Sequence, residues 1–176
     1  QHLTSAIGGG MLCEAERSAG REAIGRALAA VIADPALDDL MCGELMILPS
    51  EAYLAEQFAA ADPGAIRAER EGLKAWLGKE LKDRLVALHA RASAVPYSLS
   101  ADARGSRKLK TQALVYLAAG EPELAARLAA AQFDAADNMT DRQGALMVLA
   151  GLDTPVRADR LAAFHARYAD NALVID

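Results

Sequence analysis

Aromatic side chains are scarce in this chain. Phe, Trp and Tyr make up only 5% of its 176 residues, with a single tryptophan, Trp76. That scarcity removes the stacking platforms on which a single-stranded nucleic-acid groove depends. Cysteine is rarer still: Cys13 and Cys42 suggest neither a disulfide framework nor a zinc cluster, and read as buried thiols of a cytoplasmic protein. Of the three histidines, His2, His89 and His165, none has a second His or a Cys at i+3 or i+4 to make a helical zinc pair. His89 falls in the last turns of a predicted helix, where a cation complements the dipole, and His165 follows Phe164 in a similar position; both read as surface residues or helpers of a helix C-terminus. No apolar run approaches the roughly 18 residues of a membrane span and no leader pattern opens the chain, so a soluble protein with no membrane partner is expected.

Positive charge is also in deficit. A formal net charge of −5 argues against a whole-surface nucleic-acid or anionic-membrane binder. The distribution is uneven, because residues 62–110 hold eleven Lys/Arg against six Asp/Glu, a net +5. Such a run reads first as a solvated helix face and second as a contact surface for another domain.

Alanine is what the chain has in excess: 41 of 176 residues. It is the best helix former, whereas strands favour β-branched and aromatic residues, so an all-α fold is predicted and all-β or parallel α/β folds are excluded. Helix starts are marked by Asp34-Pro35, Asp62-Pro63, Glu121-Pro122 and Thr154-Pro155, where proline takes the first helical position behind a capping or polar residue. Ser50 is another cap, and Thr140 with Gln143 fits a capping box. Between these marks apolar residues recur at helical spacing. Ile24, Leu28, Val31 and Ile32 form one stripe; Leu37, Leu40, Met41, Leu45 and Leu48 the next; Leu54 and Phe58 anchor a short third helix. A long fourth helix over 63–92 carries Ile66, Leu73, Leu77, Leu81, Leu85 and Leu88, with Glu80 and Arg84 paired on its outer face. Leu109, Ala113, Tyr116 and Leu117 belong to a fifth ending at Gly120; Leu124, Leu128 and Ala131 to a sixth; Leu146 and Leu149 to a seventh; Leu161, Phe164 and Tyr168 to an eighth. About eight antiparallel helices with short connections predict stacked helical hairpins, an α-α superhelix of the armadillo/HEAT-like solenoid type, in a single domain over 1–176.

Working parts of an enzyme are missing. Gly8-Gly9-Gly10 has no Gly-Lys-Ser/Thr after it, and there is no G-x-S-x-G elbow. Ser98 and Ser100 suit turn or cap chemistry, Glu14/Glu16 and Asp38/Asp39 suit helix starts, and Trp76 suits the core. The cluster Arg104, Arg107, Lys108 and Lys110 suits a phosphate or an acidic surface, yet without interleaved aromatics it does not make a nucleic-acid groove. No catalytic residue and no metal ligand is predicted in the chain.

Two stretches are more specific than helix periodicity requires. One runs from Tyr97 through Gly105-Ser106-Arg107-Lys108-Leu109-Lys110 to Leu117. The other is Gln132-Phe133-Asp134-Ala135-Ala136-Asp137-Asn138-Met139-Thr140-Asp141, followed by Ala145-Leu146 and by Tyr168 to Asp176. Together they closely resemble the C-terminal helical region of bacterial aminopeptidase N, the zinc-dependent alanyl aminopeptidase of the gluzincin class. Asp34-Pro35-Ala36-Leu37, Leu48-Pro49-Ser50 and Asp62-Pro63 extend the likeness over nearly the whole chain. Thr111 stands where the family commonly has Asn and Ser106 where it commonly has Arg.

The resemblance implies a non-catalytic segment, the first part of an all-α C-terminal domain that closes over the catalytic domain of the same polypeptide. It would shape and gate the cavity in which peptide substrates lose N-terminal residues. The family's H-E-x-x-H helix and G-A-M-E-N loop are not in this sequence, so zinc would belong to the parent's catalytic domain and the isolated chain should be inactive. Arg107, Lys110, Asn138, Thr140 and Asp141 are the interdomain or cavity-wall candidates. Gln1-His2-Leu3 and Leu173-Val174-Ile175-Asp176 read as cut ends, with dimerisation through the truncated solenoid end as a possible consequence. The alternative is a free-standing α-solenoid interaction module gripping a protein or peptide.

Overall fold

The computed structural model of the chain describes residues 14–175, and every regular element among them is a helix. His2, Gly8, Gly9, Gly10 and Cys13, and the side chains of Glu14 and Glu16, lie outside the described residues. The order is α1 Glu14–Ala33, α2 Asp39–Leu45, α3 Glu51–Ala55, α4 Pro63–Glu80, α5 Lys82–Ser93, α6 Ala101–Gly120, α7 Pro122–Ala135, α8 Met139–Ala150, α9 Pro155–Tyr168 and α10 Ala172–Ile175. The eight helices expected from periodicity are all present. Among the described residues ten are found, because the long fourth one divides at Leu81 and a four-residue turn follows Asn171.

Prolines Pro63, Pro122 and Pro155 stand at the starts of α4, α7 and α9, where their missing N–H removes no intrahelical bond. Asp62 Oδ1 accepts the Ala65 N–H at 3.0 Å, and Ser100 Oγ caps α6 by accepting from Ala103 N at 3.2 Å. Asp34-Pro35 corrects the rule. Asp34 Oδ1 accepts from Ala36 N at 2.9 Å, closing a turn, and α2 begins four residues later behind Asp38, whose Oδ1 accepts from Met41 N at 2.7 Å.

The division at Leu81 is local: its φ/ψ of −102°/14° leaves the helical region, yet Leu81 N still donates to Leu77 O at 3.0 Å. Glu80 and Arg84, expected as a pair on one helix, straddle the break. The stripe survives it, since Ile66, Leu73, Leu77, Leu81, Leu85 and Leu88 are all buried.

Helix α6 is the hub. It packs against α2, α4, α5, α7 and α8, and eleven of its twenty residues are buried, so it runs through the middle of the stack. Tyr116, wholly buried, donates from its hydroxyl to Met46 O at 2.5 Å; burial pushes its ionisation up to about 12. Arg70 Nε donates to Pro49 O at 2.9 Å, so α4 and α6 together fasten the α2–α3 connection.

Three stripes are borne out only in part: Leu37, Leu48, Leu124, Leu128 and Phe164 pack against the core as periodicity suggests, but their companions do not. On α2 it is Cys42, Gly43 and Met46 that turn inward, while Leu40, Met41 and Leu45 face out. On α7 the inner line is Ala125, Ala129 and Phe133, with Ala131 exposed. Leu161 of α9 is also exposed, while Phe164 and Tyr168 stack with ring centroids 4.8 Å apart. Trp76 packs against the core edge, its ring beside Gly25 of α1.

Candidate functional site

Helices α5 to α8 enclose a polar cluster. Lys110, on the inner face of α6, reaches Asp141 in the first turn of α8, Nζ to Oδ2 at 2.7 Å, with both side chains at least nine-tenths buried. A buried charge is tolerated only when it is paired and further hydrogen-bonded, and the surroundings supply those bonds. Asn138 caps α8: its Oδ1 accepts from Asp141 N at 3.0 Å while its Nδ2 donates to Asp141 Oδ2 at 2.8 Å. Gln132 of α7 donates from Nε2 to Asp141 O at 2.9 Å, and its Oε1 is 3.0 Å from His89 Nε2 on α5. Since Oε1 can only accept, His89 carries its proton on Nε2. Burial holds the His89 ring below its usual basicity, the Gln132 bond and Asp141 acting against that and Lys110 with it. Asp141 Oδ1 has no protein partner.

Beside the cluster lies an open cavity of about 230 Å³, walled by the α5–α6 connection, including Pro96 and Tyr97, and by Lys110, Gln132, Asp137 and Asp141. Arg107 stands at its edge. Its guanidinium lies 5.0 Å from the Tyr97 ring centroid and donates to Ser98 O at 2.9 Å, so the loop wall is tied to α6. On the far side of α8, Arg142 bonds Tyr168 Oη at 3.0 Å and the Ala136 carbonyl, fastening α8 to α9 and to the end of α7.

Of the five residues singled out from the sequence, Lys110, Asn138 and Asp141 therefore meet in one network, and Arg107 braces the adjoining wall. Thr140 does not join them. It is exposed, and the cap expected of it belongs to Asn138, because α8 begins at Met139. His89, expected at the surface, is buried and hydrogen-bonded. It and Gln132 are the members that site reasoning missed, although Gln132 offered a signal: a polar residue in phase with Ala125, Ala129 and Phe133 on an inward stripe.

The basic cluster at 104–110 does not form one patch. Arg107 and Lys110 are buried and Lys108 pairs with Glu44, which leaves Arg104 exposed. Ser106 Oγ donates to Asp39 Oδ2 at 2.5 Å, and Arg91 holds the other oxygen of Asp39 at 2.9 Å. Cys42 is a free, buried thiol, pushed up in pKa by burial and by Asp39. Among the described residues no group of three or more His, Cys, Asp or Glu is arranged to hold a metal ion. No helix among them is long and apolar enough to cross a membrane.

Comparison with known proteins adds a family. The model of the "Domain of unknown function (DUF3458_C) ARM repeats" matches residues 1–176. The chain is 34% identical over 150 residues to aminopeptidase N of Escherichia coli, an alignment covering 85% of this chain and 17% of that protein. It is 37% identical over 157 residues to aminopeptidase N of Caulobacter vibrioides, covering 88% of this chain and 18% of the relative. It thus spans less than a fifth of the length of these curated relatives. Among solved structures, a Legionella pneumophila aminopeptidase A in complex with aspartic acid superposes with a TM-score of 0.70 at 21% identity, covering 89% of this chain and 22% of that one, a likeness of fold.

Proposed function

The chain belongs to the DUF3458_C family of ARM-repeat domains, and from that membership we propose that it is a non-catalytic wall segment of a zinc-dependent aminopeptidase of the aminopeptidase N type. In this reading residues 1–176 form the first part of the C-terminal domain, and the partner is the catalytic domain of the same polypeptide, where zinc activates water for attack on N-terminal peptide bonds. The chain's own contribution is shape: it borders the substrate cavity and limits access to it. A cytoplasmic setting completes the proposal, consistent with the free thiol of Cys42.

The observation that carries the reading is the similarity to aminopeptidase N over 85% and 88% of the chain. The Lys110–Asp141 network is consistent with it, because a wall must keep its geometry when neighbouring parts move. Four helices converge on that pair, and Lys110, Asn138, Gln132 and His89 are all bonded within the network, although Asp141 Oδ1 has no protein partner. The second reading, a free-standing interaction module, draws support from the outward apolar face of α2.

The test is the intact gene product. It should contain an H-E-x-x-H segment upstream and release N-terminal residues from peptides in a zinc-dependent manner, while the 176-residue chain alone should not. Lys110→Met in the intact protein should change KM for peptides more than kcat. A gene product lacking any peptidase domain would overturn the proposal.

A further inference from the structure

The cavity beside Lys110 and Asp141 gathers more hydrogen-bond acceptors than the cations around it satisfy. Asn138 Nδ2 donates to Asp137 Oδ1 at 2.9 Å and to Asp141 Oδ2 at 2.8 Å, so one amide holds two carboxylates side by side. Both carboxylates line the cavity, together with one ammonium, that of Lys110, which is already committed to Asp141 Oδ2 at 2.7 Å. Arg107, at the edge, is engaged by the Tyr97 ring and by Ser98 O. The Asp141 side chain is nine-tenths buried, and its Oδ1 accepts from nothing in the protein. Two helices also end here: Ser93 and Ala94 close α5, Ala135 and Ala136 close α7, and all four residues are in the wall. The last carbonyls of a helix lack intrahelical donors and form the negative end of its dipole, which favours a cation.

We propose that this cavity binds a primary alkylammonium group, with the charged head against Asp137 and Asp141 and the methylenes along Pro96 and Tyr97. Size and chemistry select that class. The cavity measures about 230 Å³, and a water takes roughly 30 Å³ in the liquid, so a short alkyl chain fits with its head group. An ammonium carries three N–H donors and no acceptor, which suits a wall of carboxylates and helix-end carbonyls. Calcium takes about 6–8 oxygen ligands, and two carboxylates on an open wall beside Pro96 and Tyr97 fall short of that. An anion would meet the exposed carboxylate of Asp137. At the larger cavity beside Cys42, about 410 Å³, Asp39 is by contrast already held by Ser106 and Arg91. The head group can belong to a free amine or to a lysine side chain of a peptide, since the chemistry is the same. The assignment concerns this chain's own residues and does not depend on the peptidase reading.

Isothermal titration calorimetry on the intact polypeptide tests the proposal with two probes at constant ionic strength. One is n-butylammonium chloride; the other is a glycyl-lysyl-glycine peptide blocked at both ends, whose only ammonium is that of its lysine. At least one should bind one-to-one, and sodium butyrate should not compete. Binding of butylammonium alone supports the proposal with a free amine as the source, and binding of the peptide supports it with a lysine side chain. Asp137→Asn keeps an oxygen acceptor for Asn138 at an exposed position, so melting should be unchanged, while affinity should fall about tenfold or more with the loss of the charge. Asp153, whose side chain is fully exposed elsewhere on the surface, is the control, and Asp153→Asn should leave affinity unchanged. No binding of either probe would overturn the proposal. So would unchanged affinity in Asp137→Asn, or equal losses in the two variants, which would mean diffuse attraction rather than a site. Either result stands even if the polypeptide proves to be a zinc-dependent aminopeptidase, so the two readings fail separately.

Discussion

Gly78 and Gly120 stand face to face where α4 crosses α6. A Cβ placed on Gly120 would lie 2.6 Å from both the Gly78 carbonyl carbon and the Lys79 nitrogen, and one placed on Gly78 would collide with the Tyr116 carbonyl oxygen. The obstacles are backbone atoms, so no side chain can swing aside. Helix propensity favours alanine over glycine by about 1 kcal/mol, whereas overpacking of a tight site costs typically about 1–3 kcal/mol and more where backbone must move. The clash wins. Gly120→Ala should destabilise the chain by about 2 kcal/mol in urea unfolding; a variant as stable as the parent would show that the helices can part without loss.

Lys110→Met should be more damaging than any exposed lysine change. It removes the countercharge of a carboxylate whose Oδ1 already lacks a partner, and breaking a buried pair from one side typically costs about 3–5 kcal/mol. Exposed pairs such as Arg26–Glu22 contribute at most about 1 kcal/mol, so Arg26→Ala is the control. Chemical denaturation of the two variants beside the parent chain gives the comparison. Equal losses would mean that water or relaxation already solvates Asp141.

Much of the architecture was legible because burial on long helices follows their period. Every member of the Ile66-to-Leu88 stripe is buried although the helix that carries it divides, since one change of backbone angles at Leu81 does not turn the stripe away from α6. Short elements were less legible. In the seven residues of α2 apolar side chains occupy both faces, so periodicity cannot say which packs; contact with α6 decides it. The candidate site was half legible. Lys110, Asn138 and Asp141 were reached through a family resemblance, while His89 was placed at the surface because a helix-end histidine is ordinarily there. Its burial depends on Gln132, 43 residues away, and no local pattern encodes that meeting.

Asn138 and Thr140 offer a contrast two residues apart. Asn138 accepts from the Asp141 N–H and donates to its carboxylate, whereas Thr140 is exposed. Asn138→Ala should therefore lower stability by about 2 kcal/mol, the upper end for loss of a cap. Thr140→Ala should stay within about 0.5 kcal/mol, as exposed substitutions do. A larger loss at Thr140 than at Asn138, measured by thermal or urea unfolding, would restore Thr140 as the true cap and move the start of α8.

His89 predicts how the fold responds to acid. Its ring is buried, and desolvation lowers its pKa below the ordinary value of 6.5. The unfolded chain therefore takes up a proton at this position at higher pH than the folded one, and stability must fall as protons are added. The contribution is fully present above pH 6.5, declines as pH drops below that value toward the folded pKa, and is flat below it. Lys110 lies close enough to disfavour the imidazolium, while Asp141 offsets it in part. His89→Gln keeps a hydrogen-bonding group facing Gln132 and has no titration in this range. The parent chain should therefore lose more stability than His89→Gln between pH 7.5 and pH 5.5, as read from urea midpoints at each pH. If the two lose the same amount, the His89 imidazole is protonated as readily in the folded protein as in the unfolded chain, and the buried His89–Gln132 bond does not exist in solution as described.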